Sequence, residues 1–355
     1  MAVAWFKKLF GGPAEQERSA PVEPKKERNE AAAQVTPAPD HAYLYEEYLA
    51  ELDRAFCHAL FGAERLYVNS SDAQRSSARQ LLKKLAQSEV KSDNIPRKPS
   101  TLPSLMKLLK QDDLSYAQIA ESLLKDPSLT SQVLKTANSP FFRLNENSVE
   151  SLDQAILIMG VGGIKKVVSA AILLPVFKSE EKASAFTEVV WEWALSSGKA
   201  VDVLFQIRGE SEGSSYLLGL LPALALLLIC QELNRIEEGR PEEHKLLPIQ
   251  KLDVFKRVGW KYCIAIRKEW GLPEHFDDYL YGLKGENDAG YGDSLASALL
   301  VSQYALVMAK GGVPISLAQL SEMTGSTFQE NQQMMKQLSG RIVAEDDVKA
   351  DSNSG

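Results

Sequence analysis

Apolar residues return at helical spacing along most of this chain. Between positions 44 and 60 an apolar side chain occurs every fourth residue, which aligns one stripe on a helix. A second amphipathic stretch runs from Ala78 to Leu85. We find no run of alternating apolar and polar residues bounded by hairpin turns, and such runs are the signal of β-strands. The pattern therefore predicts an all-α protein.

Two short motifs mark predicted helix starts. Ser115 is followed three residues later by Gln118, and Ser151 is followed by Gln154 in the same way. In such a capping box the serine hydroxyl accepts from a backbone N–H that the helix leaves free, and the glutamine reaches back. We therefore expect helices to begin at both positions.

Five further residues are predicted to punctuate the helices of this region. Asp126 is placed to cap a helix that begins with Pro127 at its first position. Asn138 is expected to end that helix in the left-handed conformation, with Ser139 as the next cap, and Gly160 to close the helix after it. These roles explain the five residue types structurally, although a recognition surface at Asp126, Asn138 and Ser139 remains an alternative.

The rest of the chain also carries helical periodicity and few strand signals. The predicted helices cover residues 186–207, 215–235, 258–270, 273–283, 294–310 and 316–338.

Composition and charge narrow the class of protein. The 355 residues carry a formal net charge of −7, which gives no electrostatic reason to bind nucleic acid. The three cysteines are an odd number in a chain of this length, so no disulfide framework is implied. We therefore expect a cytoplasmic protein that binds no nucleic acid.

Two segments are candidates for contact with a membrane. Residues 1–10 form a short amphipathic start with lysines inside its apolar run, which does not fit a signal peptide but leaves weak membrane contact open. The apolar run at 216–230 is fifteen residues long, against the roughly 20 that a bilayer requires. We expect no transmembrane segment.

A series of short motifs between Ile95 and Phe177 resembles the HDOD family, bacterial signal-output domains related to the HD metal-dependent phosphohydrolases. Weaker similarity continues to about residue 310, and the resemblance implies an HDOD-like all-α bundle over 94–310. The motifs that carry it are Ile95-Pro96, Leu102-Pro103, Ile119-Ala120, Asp126-Pro127-Ser128-Leu129, Leu134-Lys135-Thr136-Ala137-Asn138-Ser139, Ser151-Leu152-Asp153-Gln154-Ala155-Ile156 and Leu157-Ile158-Met159-Gly160.

The predicted domain organisation follows from this core. Residues 1–40, rich in Pro, Glu, Lys and Ala, are predicted to be a disordered tail behind the short amphipathic start. Residues 41–92 form a helical arm, and the sequence leaves open whether the arm docks on the HDOD-like domain at 94–310. A C-terminal helical extension covers 311–342, and a disordered tail covers 343–355.

The same resemblance argues against metal-dependent hydrolysis. Where related sequences continue Gly-Leu-Leu with the metal-binding His-Asp pair, this chain has Pro222-Ala223. Where they often have further histidines, it has Trp193-Ala194 and Tyr281-Gly282-Leu283. None of these side chains is a usual ligand of a hard divalent cation. We therefore predict no catalytic residue, no metal ligand and no cofactor.

The remaining cysteines and histidines do not have the spacing of a metal site or of a catalytic pair. Cys230, His244, Cys263 and His275 lack the close spacing of a zinc site. Adjacent Cys57 and His58 point about 100° apart on a helix, so one cannot activate the other.

A glycine turn ahead of two lysines is a speculative anion site. It consists of Gly162, Gly163, Lys165 and Lys166. Backbone N–H groups and lysines can hold phosphate, but no strand precedes the turn and the Gly-Lys-Ser/Thr ending of a phosphate loop is missing.

The functional interpretation is a non-catalytic regulatory protein that binds a protein partner in bacterial signalling. The alternative is a sensor that binds a nucleotide or cyclic dinucleotide in a degenerate HD-type cavity without hydrolysing it.

Overall fold

The computed structural model describes residues 41–62, 70–110, 115–143, 148–177, 184–210, 213–284, 291–312 and 315–339. Within these ranges it contains thirteen α-helices, two short 3₁₀ turns and no β-strand, which confirms the all-α prediction. The two predicted tails lie outside the described residues.

The helices follow the predicted order closely, and they are numbered here along the chain. The first six are α1 (His41–Phe61), α2 (Asp72–Gln87), α3 (Leu102–Leu109), α4 (Tyr116–Leu124), α5 (Pro127–Ala137) and α6 (Leu152–Phe177). The other seven are α7 (Ala185–Arg208), α8 (Ser215–Glu237), α9 (Pro248–Trp270), α10 (Phe276–Gly282), α11 (Tyr291–Ala309), α12 (Leu317–Met323) and α13 (Phe328–Ser339).

The centre of the fold is the close pairing of α7 with α8. The Ser197 hydroxyl donates to the carbonyl oxygen of Gly219 across this contact at 2.5 Å. A Cβ on Gly219 would lie 2.7 Å from the Cα of Gly198, so the two backbones approach too closely for a side chain there. Helix α9 packs on α8, and α11 packs on α7, so both central helices are covered.

The N-terminal helices dock on the main domain, which answers the question that the sequence left open. Helix α1 packs against α7, α9, α11 and α12, and its Leu52, Phe56 and Cys57 are fully buried. Helix α2 lies on α9, where the Lys261 ammonium donates to the carbonyl oxygens of Ala86 and Ser88 at 2.8 and 2.6 Å. Residues of the predicted arm therefore form part of the same core.

Two predicted helices differ from the structure by more than a few residues. The single helix predicted at 316–338 is two helices, because Thr327 starts a new one: its hydroxyl accepts from the Glu330 amide, and Glu330 accepts from the Thr327 amide. Helix α9 begins ten residues before the predicted 258, since Pro248 is favourable at a first helical position.

Two helices of the described chain are long and apolar enough to cross a membrane by length and composition alone. They are α6 and α8, and 89% of the apolar window of α8 is buried within the structure against 56% for α6. Burial of that extent in α8 is what the central helix of a folded domain shows.

Candidate functional site

The family-motif residues Asp126 and Pro127 build the start of α5. The Asp126 carboxylate accepts from the Leu129 amide at 3.0 Å, and Pro127 occupies the first turn, as predicted. The hydroxyl of Thr130 also donates to the carbonyl oxygen of Leu123, which ties α5 to the end of α4. Asp126 and Pro127 therefore have structural roles at the start of α5.

Asn138 ends α5 in a different way from the one predicted. Its φ of −84° and ψ of −3° are right-handed, so the predicted left-handed conformation is wrong. The side-chain amide instead donates to the carbonyl oxygens of Leu134 and Val149, and its oxygen accepts from the Val149 amide at 2.7 Å. Asn138 thereby fastens Val149, just before α6, to the end of α5, and this contact needs no left-handed turn.

The glycine turn and the two lysines of the speculative anion site point to different places. Gly160, at φ 68°, kinks α6, and Gly162 is exposed on the outer side after the kink. Lys165 is 8% exposed, whereas the Lys166 ammonium lies 2.5 Å from the Asp202 carboxylate on α7. A Cβ on Gly163 would lie 2.8 Å from that of Met159. An anion held by all four predicted residues stays a prediction.

Lys166 and Asp202 are part of a polar group that the sequence did not reveal. Asp202 is 6% exposed, and its carboxylate also accepts a hydrogen bond from the side-chain amide of Gln206 at 2.8 Å. Lys199, one turn earlier on α7, places its ammonium 5.6 Å from the centre of the Phe141 ring. Burial lowers the pKa of Lys199, and the nearby charge of Lys166 lowers it further.

Tyr216, near the start of α8, completes this group. Its side chain is 3% exposed, and its ring lies against the backbone of α7 at Gly198. Phe142 lies on another side of the tyrosine, with ring centres 6.3 Å apart. Burial raises the pKa of the Tyr216 hydroxyl well above its usual value, and the Asp202 charge adds to the increase. We refer to Lys166, Lys199, Asp202 and Tyr216 as the lysine cluster.

Apolar packing occupies the positions at which the resemblance implies metal ligands in related hydrolases. Trp193 and Ala223 are fully buried, and Pro222 is buried within α8. The indole N–H of Trp193 donates to the Ser302 hydroxyl at 2.9 Å, and the Phe56 ring meets the indole edge-on with centres 5.0 Å apart. This part of the domain is therefore occupied by side chains that are not usual metal ligands.

The remaining candidates for chemistry are also placed apart or buried. Within the described ranges, no three His, Cys, Asp or Glu side chains are arranged to hold a metal ion. All three cysteines are free and buried, and burial raises the pKa of Cys57 and of Cys230 to about 12 and also raises that of Cys263. At neutral pH these thiols are protonated and hence poor nucleophiles.

Sequence reasoning found Lys166 but missed Lys199, Asp202 and Tyr216. These residues come from two helices and lie tens of positions away from Lys166, so no local spacing connects them. A signal was nevertheless present, because Asp202 lies among apolar residues on the buried face of α7. An acidic residue on such a face is rarely buried without a partner.

A family model described as the HDOD domain matches residues 95–281. The chain is 25% identical over 193 residues to an uncharacterized protein of Treponema pallidum (strain Nichols), and 23% identical over 192 residues to the uncharacterized protein YuxH of Bacillus subtilis (strain 168). Both matches cover 51% of this chain. The aligned part spans 36% and 46% of those relatives, less than half of their length.

Solved structures that align with this chain have low sequence identity to it. An HDOD domain protein of unknown function from Geobacter sulfurreducens aligns with a TM-score of 0.49 at 16% identity, covering 80% of this chain and 98% of that one. The MmoQ response regulator from Methylococcus capsulatus aligns with a TM-score of 0.31 at 18% identity, covering 69% and 99% respectively.

Proposed function

The chain belongs to the HDOD family, and on this premise we propose that it is a regulatory protein of bacterial signalling that binds another protein and catalyses no reaction. The observation that carries this proposal is the packing around Trp193. A fully buried indole, hydrogen-bonded to Ser302 and in contact with Phe56, stands where related hydrolases often have a histidine.

The chemistry of the available side chains supports the absence of catalysis. Metal-assisted hydrolysis requires several imidazole or carboxylate ligands that converge on one point. Trp193, Pro222 and Ala223 offer none, and burial keeps the three cysteine thiols protonated. Free thiols in the folded chain are also consistent with the cytoplasmic location that we propose.

Exposed apolar side chains support the protein-binding part of the proposal. Leu157 on α6 is 74% exposed, Leu124 at the end of α4 is 61% exposed, and Tyr116 on α4 is 53% exposed. Helices α4 and α6 pack against each other, so all three residues belong to one helical pair inside the family-matched region. Contiguous apolar groups left in solvent are typical of surfaces that a partner covers, and we propose that these three residues form such a surface.

The alternative, a nucleotide in the degenerate HD-type cavity, stays a prediction. Trp193 and Phe56 fill the described part of that region, so a nucleotide would need these side chains to move.

Two measurements on the full-length protein test the proposal. The first compares hydrolysis of p-nitrophenyl phosphate and bis-p-nitrophenyl phosphate with and without Mn²⁺ or Mg²⁺, and we expect no turnover above buffer. The second is in-cell crosslinking followed by mass spectrometry for the wild type, Leu157→Glu and Met308→Glu. Met308 is 37% exposed on α11 and serves as the matched control.

We expect a reproducible crosslinked partner that is lost in Leu157→Glu and retained in Met308→Glu. Metal-dependent turnover would contradict the non-catalytic part. A partner that persists in Leu157→Glu would place recognition on another surface, and no partner under any condition would argue against protein binding altogether.

A further inference from the structure

Lys199 carries a positive charge that the described structure leaves unbalanced. Lys166 takes the nearby carboxylate of Asp202, and no carboxylate among the described residues lies within ion-pair distance of Lys199. Its described contact is the face of Phe141. Among the described residues, Asp202 therefore pairs with Lys166 alone at the junction of α6 and α7, and the charge of Lys199, about +1, stays unpaired in a partly desolvated place.

Two buried hydroxyl groups in the segments that pack beside Lys199 and its neighbour Gly198 lack hydrogen-bond partners. They are the Tyr216 hydroxyl and the Ser139 hydroxyl, and both oxygens are shielded from solvent. Tyr216 packs on Gly198, the residue before Lys199, and Ser139 lies two residues before Phe141. A buried polar group without a partner is costly, so groups of this kind in a native protein call for an explanation.

We propose that Lys199, Lys166 and the Tyr216 hydroxyl bind the phosphoryl group of a small ligand, with Ser139 beside it. Ammonium groups and a phenolic hydroxyl are all donors, and a phosphoryl group presents several acceptor oxygens with negative charge. Such an anion balances the charge of Lys199 and provides an acceptor for the hydroxyl of Tyr216. A single bound anion thus accounts for both the unpaired charge of Lys199 and the unpartnered hydroxyl of Tyr216.

The site is open to solvent on its lysine side and is separate from the filled metal positions. The Lys166 side chain is 29% exposed and Lys199 is partly exposed, so a small anion reaches the two ammonium groups from solvent. Contact with the shielded Tyr216 hydroxyl requires the side chains that cover it to move locally. Trp193 and Pro222 each lie six residues from Lys199 and Tyr216 on the same helices, which corresponds to about 9 Å along an α-helix. Phosphoryl binding here does not depend on the protein-binding proposal.

Isothermal titration and thermal unfolding of the full-length protein test the site. The probes are inorganic phosphate and adenosine 5′-monophosphate, each at ionic strength matched with sodium chloride. The variants are Lys199→Met and Tyr216→Phe, with Lys125→Met as control, since the Lys125 side chain is 72% exposed just after the end of α4. Helical circular dichroism verifies that each variant is folded.

We expect both probes to bind the wild type and the control alike and to raise their Tm. Lys199→Met should weaken binding about tenfold or more, because a hydrogen-bonded charge is lost. Tyr216→Phe should lose most of the response as well, yet without any probe it should unfold at a Tm equal to or above that of the wild type, because an unpartnered buried hydroxyl has been removed. A merely structural tyrosine would not combine these two results.

Comparison of the probes identifies the source of the phosphoryl group. Equal affinity for both means that the phosphoryl group alone is recognised, and tighter binding of the nucleotide means that its base or sugar contributes. No binding of either probe to the wild type would overturn the proposal, as would full binding retained in Lys199→Met or in Tyr216→Phe.

Discussion

The indole N–H of Trp193 on α7 donates a 2.9 Å hydrogen bond to the hydroxyl of Ser302 on α11, and both side chains are fully buried. Ser302 in turn donates to the Leu299 carbonyl oxygen at 2.7 Å. This chain of hydrogen bonds lets a tryptophan occupy a position at which the resemblance implies a histidine in related hydrolases, without leaving its N–H unpaired.

Ser302→Ala removes the acceptor of that indole N–H. Because the donor would then be buried without a partner, we expect the free energy of unfolding to fall by about 1–3 kcal/mol. Urea unfolding measures the change, and Ser76→Ala on the exposed face of α2 is the control. Equal stability of the two variants would show that the bond contributes nothing.

Phe56→Ala tests whether α1 belongs to the folded core. The ring is fully buried against Trp193, and truncation of a buried phenylalanine costs about 3–5 kcal/mol. We expect one cooperative transition at lower denaturant, with Glu47→Ala on the exposed side of α1 near the wild type. A wild-type midpoint for Phe56→Ala would mean that α1 does not stabilise the domain.

Gly219→Ala and Gly162→Ala should change stability in opposite directions. A Cβ on Gly219 would lie 2.7 Å from the Gly198 backbone, so the substitution forces α7 and α8 apart and costs about 1–3 kcal/mol or more. A Cβ on Gly162 meets nothing within 4 Å, and alanine is favoured over glycine in a helix by about 0.5–1 kcal/mol. Thermal unfolding measures the Tm of both variants. A Tm below that of the wild type for Gly162→Ala would indicate that Gly162 has a role that alanine cannot fill.

Glu330 should make stability depend on pH. Burial opposes its charge, but hydrogen bonds from Arg208 and Thr327 outweigh burial and lower the pKa of Glu330 below its usual value of 4.5. Its contribution is therefore complete above pH 4.5 and is lost as pH falls through the lowered pKa. We expect Glu330→Gln to be less stable than the wild type at pH 7, with a difference that shrinks in acid. The exposed Glu322→Gln is the control, and a constant difference from pH 7 to pH 3 would contradict this account.

The three buried cysteines should resist alkylation in the native protein. Their raised pKa values leave almost no thiolate at pH 8, and burial restricts access. Mass spectrometry after iodoacetamide treatment should detect no modified cysteine in the native state and three in denaturant. Rapid labelling of any one cysteine in the native state would identify it as accessible and reactive.

The sequence alone determined the fold class and most helix starts. Apolar spacing predicted the helices, and the capping residues Ser115 and Asp126 accept the hydrogen bonds expected of them, because a cap depends on residues within one turn. The ordered motifs from Ile95 onward identified the HDOD family for the same reason, since they are local in the chain.

Tertiary structure alone decided the conformation of Asn138, the docking of α1 and the composition of the lysine cluster. Asn138 is right-handed because its side chain bonds to Val149, eleven residues away, which no local pattern reports. The apolar stripe of α1 predicts a helix but does not say whether that helix packs on the main domain. The burial of Phe56 against Trp193 makes α1 part of the core. Lys166 meets Asp202 across the contact of α6 with α7, because packing of distant helices brings their charges together.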